Sequence, residues 1–471
     1  MSLKVPVGAV IEGARFSRYQ QRIIAVCLTI GLAEGINALS IGYVLPSLAV
    51  QYNVSPAAFS LIFVTALLGE ILGNFVLAPL GDKYGRRTML RVGISIFALA
   101  AVPSAMVGSV EALAVCRFFA GLGIGAAVPS MFTLAGDYTP NSVKGRVISV
   151  VSMSISAGGF LIGLVAANFI PAFGGPAFLL LGGLIPIILL FLTWFALPES
   201  VEFLAERKDQ DSVRRILHRI APGVVPVEAD ATTPIYVPAE QVKGARVAQL
   251  FRNGRGLPTV MLWMMSFVGL FNAYFIFAFL ATILVVDGVA EETALLSVSL
   301  ATFGGMAGGV LLGFLMDRTP LGPAAGTLGA AIAIAGFIFL AIVDPTTNEF
   351  TFLVLGAALG LGAIGANSCA QVLATQVYPP IIRATGLGWY SAVGRLGALL
   401  APVVIGGLLG ANVAPGNLYI YATIPLAILG ALLLVFMVRY GSNLRKRGTE
   451  SDLAHEVLSA DMVLPAAEGR S

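Results

Sequence analysis

Four charged residues lie deep inside long apolar stretches of this sequence: Glu34, Glu70, Arg117 and Arg395. A charged side chain in hydrocarbon costs at least ~2.5–3.5 kcal/mol, so such residues usually have a functional role. At a rise of 1.5 Å per residue, all four lie roughly 15 to 20 Å from the same face of a bilayer. That depth is near the middle of a hydrocarbon core about 30 Å thick. Two acids and two bases sum to zero, so the empty protein can balance its own buried charge.

Arginine and glutamate at this depth can bind an organic anion together with a proton. The planar guanidinium of Arg395 matches the two oxygens of a carboxylate, and Arg117 provides a second cation. Glu34 can take up a proton once a substrate neutralises the positive charge that faces it, and Glu70 is a second acid for the same task. The residues leave open a structural role as ion pairs between helices, above all for Arg117 and for Glu70 paired with Arg395.

Neutral polar residues in the same stretches can bond a substrate hydroxyl or a second carboxylate. The candidates are Asn37, which lies one turn beyond Glu34, Asn272, and the pair Asn367 and Gln371, which lie one turn apart. Contact between helices is an equally open role for each of them.

Aromatic residues are concentrated in the stretch that follows residue 258. Tyr274 shares one helical face with Phe267 and Phe271, because the three follow i, i+4, i+7 spacing. Such a face can stack against the ring of an aromatic acid, with Tyr274 as a binding residue. The alternative is an apolar face that contacts lipid.

The composition excludes a soluble enzyme. Of 471 residues, 57% are hydrophobic and only 11% are charged, whereas soluble domains carry about 25% charged residues. The three cysteines lie in apolar runs without a CxxC partner, and both histidines lie in polar segments, so no metal site is indicated. We expect no cofactor, with protons as the coupling ion.

The apolar residues form twelve runs, each long enough to cross a bilayer. They predict an all-α membrane protein with twelve transmembrane helices in two six-helix, pseudo-symmetric bundles. The predicted spans are 23–50, 57–80, 88–109, 112–136, 147–171, 176–197, 258–286, 293–316, 323–343, 350–376, 385–410 and 416–438. The corresponding regions are an N-terminus (1–22), a first bundle (23–197), a central loop (198–257), a second bundle (258–438) and a tail (439–471).

The basic residues orient these spans. With twelve spans, every connection that contains lysine or arginine falls on one side, together with both termini and the central loop. The opposite connections contain acids and no lysine or arginine. By the positive-inside rule, both termini and the central loop are cytoplasmic.

The two halves of the sequence also resemble each other. The segment that ends in Asp82 and Lys83 after the second span is echoed by the segment that ends in Asp317 and Arg318 after the eighth. Two six-helix repeats predict a binding site between them, near the bilayer midplane, reached alternately from each side.

Several motifs are similar to those of the major facilitator superfamily. They are Gly81-Asp82-Lys83-Tyr84-Gly85-Arg86-Arg87 between spans two and three, Arg117 with Gly121, Gly123 and Gly125 in span four, and Pro198-Glu199-Ser200 after span six. The resemblance implies that helices one, four, seven and ten line a central cavity. It also implies gating roles in the loops, where Asp82, Arg86 and Arg87 hold the two halves together in the outward-facing state.

Other residues near these loops complete the predicted gating set. Gly85 suits a tight turn, and Asp137, at the inner end of span four, is placed to receive one of the two arginines. Asp317 occupies the position equivalent to Asp82 in the second half. We expect changes in this set to slow transport more than they weaken binding.

A narrower resemblance is to the aromatic acid:proton symporters, which import benzoate-like acids into bacteria across the inner membrane. Glu34-Gly35-Ile36-Asn37 resembles that family's Asp-Gly-x-Asp motif, with Glu34 in place of the first aspartate and Asn37 in place of the second. Further similar segments are Leu197-Pro-Glu-Ser200, Arg383-Ala-Thr-Gly386 and Gly394-Arg395 with Pro402.

These observations predict a proton-coupled importer of a small organic anion, such as an aromatic carboxylate. The expected partners are that anion, protons and the lipid bilayer, without nucleic acid, and the expected assembly is a monomer. The alternatives are a proton-coupled efflux antiporter for drugs or amphiphiles, or a sugar or metabolite porter with the same fold. Arg395 favours anions over cations.

Overall fold

The computed structural model describes residues 5–6, 10–11, 16–220, 235–236, 247–252, 254–318, 322–346, 348–378 and 380–461. Within these residues, twelve helices are long and apolar enough to cross a membrane, and we call them spans 1 to 12. Their bounds are Arg18–Tyr52, Ala57–Leu77, Arg86–Ala105, Val110–Asp137, Val143–Phe173, Gly175–Ala196, Gly256–Asp287, Glu291–Met316, Ala324–Ile342, Glu349–Val377, Thr385–Gly410 and Pro415–Tyr440. Each predicted apolar run coincides with one span, so the predicted twelve-helix fold class is confirmed.

Several helices extend beyond the apolar part of their span. The extended helices are Asn141–Phe173, Glu291–Arg318, Gly322–Ile342, Pro380–Gly410 and Pro415–Asp461. The connections contain short helices at Leu80–Tyr84, Val201–Glu206, Gln210–Ile220 and Val247–Phe251, and the two-residue strands Val5–Pro6 and Ile235–Tyr236 pair in parallel. We call the end of the bundle that carries these connections the loop end, and the other end the far end.

Two spans contain a π-helical turn next to a predicted site residue. In span 2 the turn Gly73–Leu77 follows Glu70 by three residues, and in span 7 the turn Phe275–Phe279 begins directly after Tyr274. A π turn inserts an extra residue into a helix and rotates the side chains on either side of it relative to each other. The face that each span presents to the middle of the molecule therefore changes at these points.

Glycine lets span 4 approach span 2 closely at the level of Glu70. A Cβ atom added at Gly121 would collide with the carbonyl oxygen of Ala66 and would lie 3.0 Å from the backbone nitrogen of Glu70. The equivalent helices of the second half, spans 8 and 10, meet in the same way at Gly360, where a Cβ would collide with the carbonyl of Ala301. Small residues at such contacts allow the backbone packing that stabilises membrane helix pairs.

We expect Gly121→Val to destabilise the protein, because the added branch must push span 2 away from span 4. Overpacking of this kind typically costs about 1–3 kcal/mol. Thermal unfolding of the purified protein in detergent measures the effect. Gly407→Val is the matched control, since a Cβ at Gly407 meets nothing within 4 Å. Equal melting temperatures for the two variants would contradict the expectation.

Among the described residues, the two halves share a hydrophobic core only toward the far end. One buried cluster contains residues of both halves, including Tyr43, Phe63, Phe279 and Leu295. Toward the loop end, one cluster contains residues of the first half alone and another contains residues of the second half alone. The structure is therefore closed between the halves at the far end.

Specific contacts join the halves at this shared core. The rings of Phe63 and Phe279 lie 5.4 Å apart, and those of Phe160 and Phe303 lie 5.2 Å apart. The hydroxyl of Ser299 in span 8 donates to the carbonyl of Phe160 in span 5 at 2.9 Å. Spans 5 and 8 thus form the main interface between the halves.

Candidate substrate and proton site

A small cavity lies in the middle of the molecule, beside the far-end core. Its polar lining consists of Glu34 and Asn37 from span 1, Glu70 from span 2, Arg117 from span 4 and Tyr274 from span 7. The apolar lining includes Ile41, Ile62 and Phe63. The volume is about 60 Å³, below the ~300–1,000 Å³ of typical ligand pockets. The structure has room for water between these groups, and a substrate requires the cavity to widen.

Arg395 is paired with Glu70 across the boundary between the halves. Its Nη2 lies 3.2 Å from Oε1 of Glu70, with 34% of the Arg395 side chain and 25% of the Glu70 side chain exposed. This contact joins span 11 to span 2. The ion pair between Glu70 and Arg395, which was one of the two roles considered from the sequence, therefore exists in this conformation. Glu70 thus takes the position on Arg395 that was predicted for a substrate carboxylate.

Arg117 is almost completely buried and has a neutral partner. Its Nη1 donates to Oδ1 of Asn37 at 2.8 Å, its Nε has no hydrogen-bond partner, and only 4% of the residue is exposed. Asn37 thus orients Arg117, and its Oδ1 atom is already engaged by that residue. A buried guanidinium with a donor to spare is a strong site for a carboxylate, because charge-assisted hydrogen bonds are about twice as strong as neutral ones.

Glu34 lines the same cavity without a direct partner. Its Oε2 atom is buried and accepts no hydrogen bond. Charge–charge interactions link it to both Glu70 and Arg395. The adjacent Gly35 brings span 1 against the backbone of Ile155 in span 5, which fixes the position from which Glu34 projects.

The aromatic face predicted for span 7 is divided between two sites. Tyr274 lines the central cavity. Phe267 and Phe271 instead line an apolar groove between spans 7, 11 and 12. The ring that joins Tyr274 at the central cavity is Phe63 of span 2. The ring spacing within span 7 gives no indication of Phe63, whereas its position seven residues before Glu70, on the same helix, is a signal that could identify it.

Three other predicted binding residues lie outside the central cavity. Asn272 is fully buried, and its Nδ2 donates to the carbonyl of Val268 at 3.1 Å. Asn367 packs against Gly269, where a Cβ would lie 2.7 Å from its Cγ atom. Gln371 is exposed. The structure thus brings Glu34, Asn37, Glu70, Arg117 and Tyr274 together. It holds Asn367 in the contact between spans 7 and 10, and Asn272 bonds its own helix.

Two of the predicted gating residues, Arg86 and Asp137, form a polar cluster at the loop end of the first half. Arg86 makes an ion pair with Asp137, donates to the hydroxyl of Ser200 at 3.1 Å and lies 3.4 Å from the carboxylate of Glu202. The hydroxyl of Ser200 also donates to Asp137 at 2.6 Å. Arg86 therefore ties spans 3 and 4 to the residues that follow span 6.

The turn before Arg86 depends on glycine and on Glu199. Gly85 has a φ of 102°, in the region that favours glycine, and a Cβ there would collide with the carboxylate of Glu199. That carboxylate accepts from the backbone N–H of Arg87 at 2.9 Å. From the sequence, the Pro198-Glu199-Ser200 motif is interpreted only as a family signature. Nothing in the sequence indicates that Glu199 is the partner of this turn.

The remaining gating residues make no described contact between the halves. Asp82 is exposed. Asp317 lies in the helix Glu291–Arg318, but its side chain is outside what the structure describes. A contact between the halves made by Asp82, Arg86 and Arg87 in an outward-facing state remains a prediction.

We expect Arg86→Gln to slow transport and to lower stability, because Asp137 is only 8% exposed and loses its cation. Leaving a buried charge unpaired costs about 3–5 kcal/mol, reduced here by the bond from Ser200. Thermal unfolding and initial uptake rates measure the two effects. Lys83→Gln, at an exposed position of the same loop, is the control. Unchanged stability and rate in Arg86→Gln would contradict the proposed role.

A comparison with known protein families decides the classification. The chain matches the model of the Major Facilitator Superfamily over residues 26–402. The chain belongs to the major facilitator superfamily. It is accordingly a multi-pass membrane transporter and not an enzyme.

The chain is also similar to individual transporters of this superfamily. The chain is 33% identical over 411 residues to a 4-hydroxybenzoate transporter of Pseudomonas aeruginosa, with 86% of this chain and 90% of the relative covered. It is 31% identical over 419 residues to a gallate transporter of Pseudomonas putida, with 86% and 91% covered. The resemblance to aromatic acid transporters seen in the motifs is thereby confirmed.

A solved structure shows the same fold. The xylose transporter of Escherichia coli, in a partially occluded inward open conformation, superposes with a TM-score of 0.67 at 17% sequence identity. The alignment covers 90% of this chain and 99% of that one. At this identity the likeness concerns the fold alone.

Proposed function

We propose that this major facilitator superfamily member imports a small aromatic carboxylate, of the hydroxybenzoate class, together with a proton. The observation that carries the proposal is the midplane cavity lined by Glu34, Glu70 and Arg117, with Arg395 paired to Glu70 at its edge. The similarity to transporters of 4-hydroxybenzoate and gallate supports the substrate class. Both of those substrates combine a carboxylate with a hydroxylated ring.

Charge balance explains why anion and proton move together. With every group ionised, Glu34 and Glu70 cancel Arg117 and Arg395. A bound monocarboxylate adds one negative charge, and one proton on the pair of acids restores neutrality. An uncompensated charge in low dielectric is costly. The empty site and the site that holds both anion and proton are therefore the forms that change conformation readily.

The ion pair between Arg395 and Glu70 provides a way for anion binding to cause proton uptake. The substrate carboxylate replaces Glu70 on Arg395, and the released acid and Glu34 share one proton. Glu34 is the proton acceptor in this scheme, because no neighbouring donor stabilises its ionised form by a hydrogen bond. The same exchange breaks a contact between the halves, so it also loosens their interface.

The ring and hydroxyl of the substrate have candidate partners in the same cavity. Phe63 and Ile41 provide apolar contacts beside the acids, and Tyr274 and Asn37 provide polar groups. A hydrogen bond to a ring hydroxyl would favour hydroxybenzoates over benzoate, because a site built for a hydroxyl discriminates against substrates that lack it.

We propose that transport is inward and is driven by the proton gradient. We propose that the loop end is cytoplasmic, in a bacterial inner membrane, since all connections with lysine or arginine lie there. Closure of the halves at the far end supports the proposal, because an importer with a cytoplasmic loop end must close the opposite end to release its substrate. No contact with a second copy is needed for this cycle, and we propose a monomer.

Uptake into proteoliposomes with an imposed pH gradient tests this function. We expect accumulation of 4-hydroxybenzoate and gallate when the side of substrate addition is acidic, and loss of accumulation with a protonophore. Benzoate, aliphatic dicarboxylates, xylose and a lipophilic cation are the comparison compounds. Transport of the cation or of xylose without transport of any benzoate would overturn the proposal.

A further inference from the structure

A second, larger cavity lies at the loop end of the first half. It is bounded by the last turn of span 6, the helix Gln210–Ile220 and the start of span 1, and its volume is about 420 Å³. This is many times the roughly 30 Å³ that one water molecule occupies in the liquid. The cavity shares no lining residue with the central site.

The charged groups that line this cavity are mainly positive. They are three arginines, Arg87, Arg215 and Arg219, and one acid, Glu199. Glu199 already accepts from the backbone N–H groups of Arg87 and Ser200, at 2.9 and 3.0 Å. Glu199 therefore already has hydrogen-bond partners, and the side chains that line the cavity carry a net positive charge.

The three arginines retain donors that can face a ligand. The Nε of Arg87 is buried without a hydrogen-bond partner. Arg219 lies over the ring of Tyr19 at 5.7 Å. Among the residues that the structure describes, Arg215 bonds the hydroxyl of Ser212 and the carbonyl of Asp211, both in its own helix. Arg215 and Arg219 are four residues apart, so both project from one face of that helix.

The mouth of the cavity lies where the membrane surface is expected. Trp194 and Phe195, at the end of span 6, line the cavity and are 61% and 85% exposed. Arg91 holds this end in place, since its Nη2 donates to the carbonyls of Thr193 and Trp194 and its guanidinium lies 4.6 Å from the Trp194 ring. Exposed tryptophan at a helix end is typical of the membrane–water interface.

We propose that this cavity binds the phosphate of an anionic phospholipid headgroup. Guanidinium groups match phosphate oxygens with paired hydrogen bonds, and arginines near a membrane surface attract anionic lipids. The exposed Trp194 and Phe195 place acyl chains beside the headgroup, which a free phosphate ion would not use. A bound lipid links the helix Gln210–Ile220 to Arg87, in the first turn of span 3.

Native mass spectrometry of the full-length protein tests this assignment. The protein is reconstituted in phosphatidylcholine with or without phosphatidylglycerol and then released for measurement. We expect retained phosphatidylglycerol on the wild-type protein and roughly thirtyfold weaker retention on the double variant Arg215→Gln, Arg219→Gln. Arg252→Gln, at an exposed loop-end position just before span 7, is the control and keeps wild-type retention.

Two outcomes would overturn the proposal. One is equal retention of phosphatidylglycerol by the double variant and the wild type. The other is displacement of the lipid by inorganic phosphate at equal concentration, which would identify the ligand as a free anion. Circular dichroism of the double variant, with a wild-type helical spectrum and melting temperature, shows that a loss of retention is not a loss of folding.

Discussion

Glu34→Gln is expected to abolish accumulation of 4-hydroxybenzoate in proteoliposomes while exchange of internal for external substrate continues. Glutamine has nearly the shape of a protonated glutamate and cannot release a proton. An electroneutral symporter that moves one proton per anion can concentrate its substrate about tenfold for each pH unit, since one pH unit corresponds to about 1.4 kcal/mol. The variant should reach a ratio of about one.

Two measurements separate this expectation from a general loss of activity. The accumulation ratio is measured at imposed pH gradients, and counterflow of labelled substrate is measured without a gradient. Glu111→Gln replaces an exposed acid near the far end and should behave as the wild type. Gradient-driven accumulation at the wild-type level in Glu34→Gln would show that the proton is carried elsewhere.

The second large effect is expected from the pair Arg395 and Glu70. Arg395→Met leaves Glu70 without its cation, and Glu70→Met leaves Arg395 without its anion. Removal of one partner of a buried ion pair costs about 3–5 kcal/mol, whereas replacement of both by apolar residues is often neutral. The pair is partly exposed, so we expect each single variant to lose stability at the low end of this range or below it.

The double variant distinguishes a binding role from a structural one. We expect Arg395→Met, Glu70→Met to recover most of the thermal stability and to show no substrate binding by isothermal titration calorimetry. Arg395→Lys keeps the charge without the planar fork and should bind more weakly than the wild type. If the double variant transported 4-hydroxybenzoate at the wild-type rate, Arg395 would be a purely structural residue.

The sequence predicted the fold well because the physics of membrane spans is local. An apolar run of about 20 residues has few alternatives to a membrane helix, and the segregation of basic residues depends on the number of spans. Each predicted run therefore coincides with a helix, for example 385–410 with Thr385–Gly410. The positions of glycines such as Gly121 also follow from a local requirement for close backbone contact.

The site was predicted less completely because it depends on helix rotation and partner choice. Depth alone placed Glu34, Glu70, Arg117 and Arg395 in one layer, and the structure groups them. Depth does not indicate that Arg395 faces Glu70 while Arg117 faces Asn37.

The helices packed around span 7 explain part of the remaining difference. Regular i, i+4, i+7 spacing predicted one aromatic face on span 7, but the structure separates Tyr274 from Phe267 and Phe271. The π turn Phe275–Phe279 follows all three residues, so it does not separate them. Spans 11 and 12 instead pack beside Phe267 and Phe271, whereas Tyr274 lines the central cavity. This choice of partner helices is not visible in the periodicity of one helix.

The most direct test of proton–anion coupling is the number of protons that enter with each anion. Proteoliposomes with a pH-sensitive dye inside and no initial gradient are given 4-hydroxybenzoate, and dye response and labelled uptake are recorded together. The charge balance of Glu34, Glu70, Arg117 and Arg395 predicts internal acidification of one proton per anion, independent of an imposed membrane potential. Uptake without acidification, or uptake that follows the membrane potential, would contradict it.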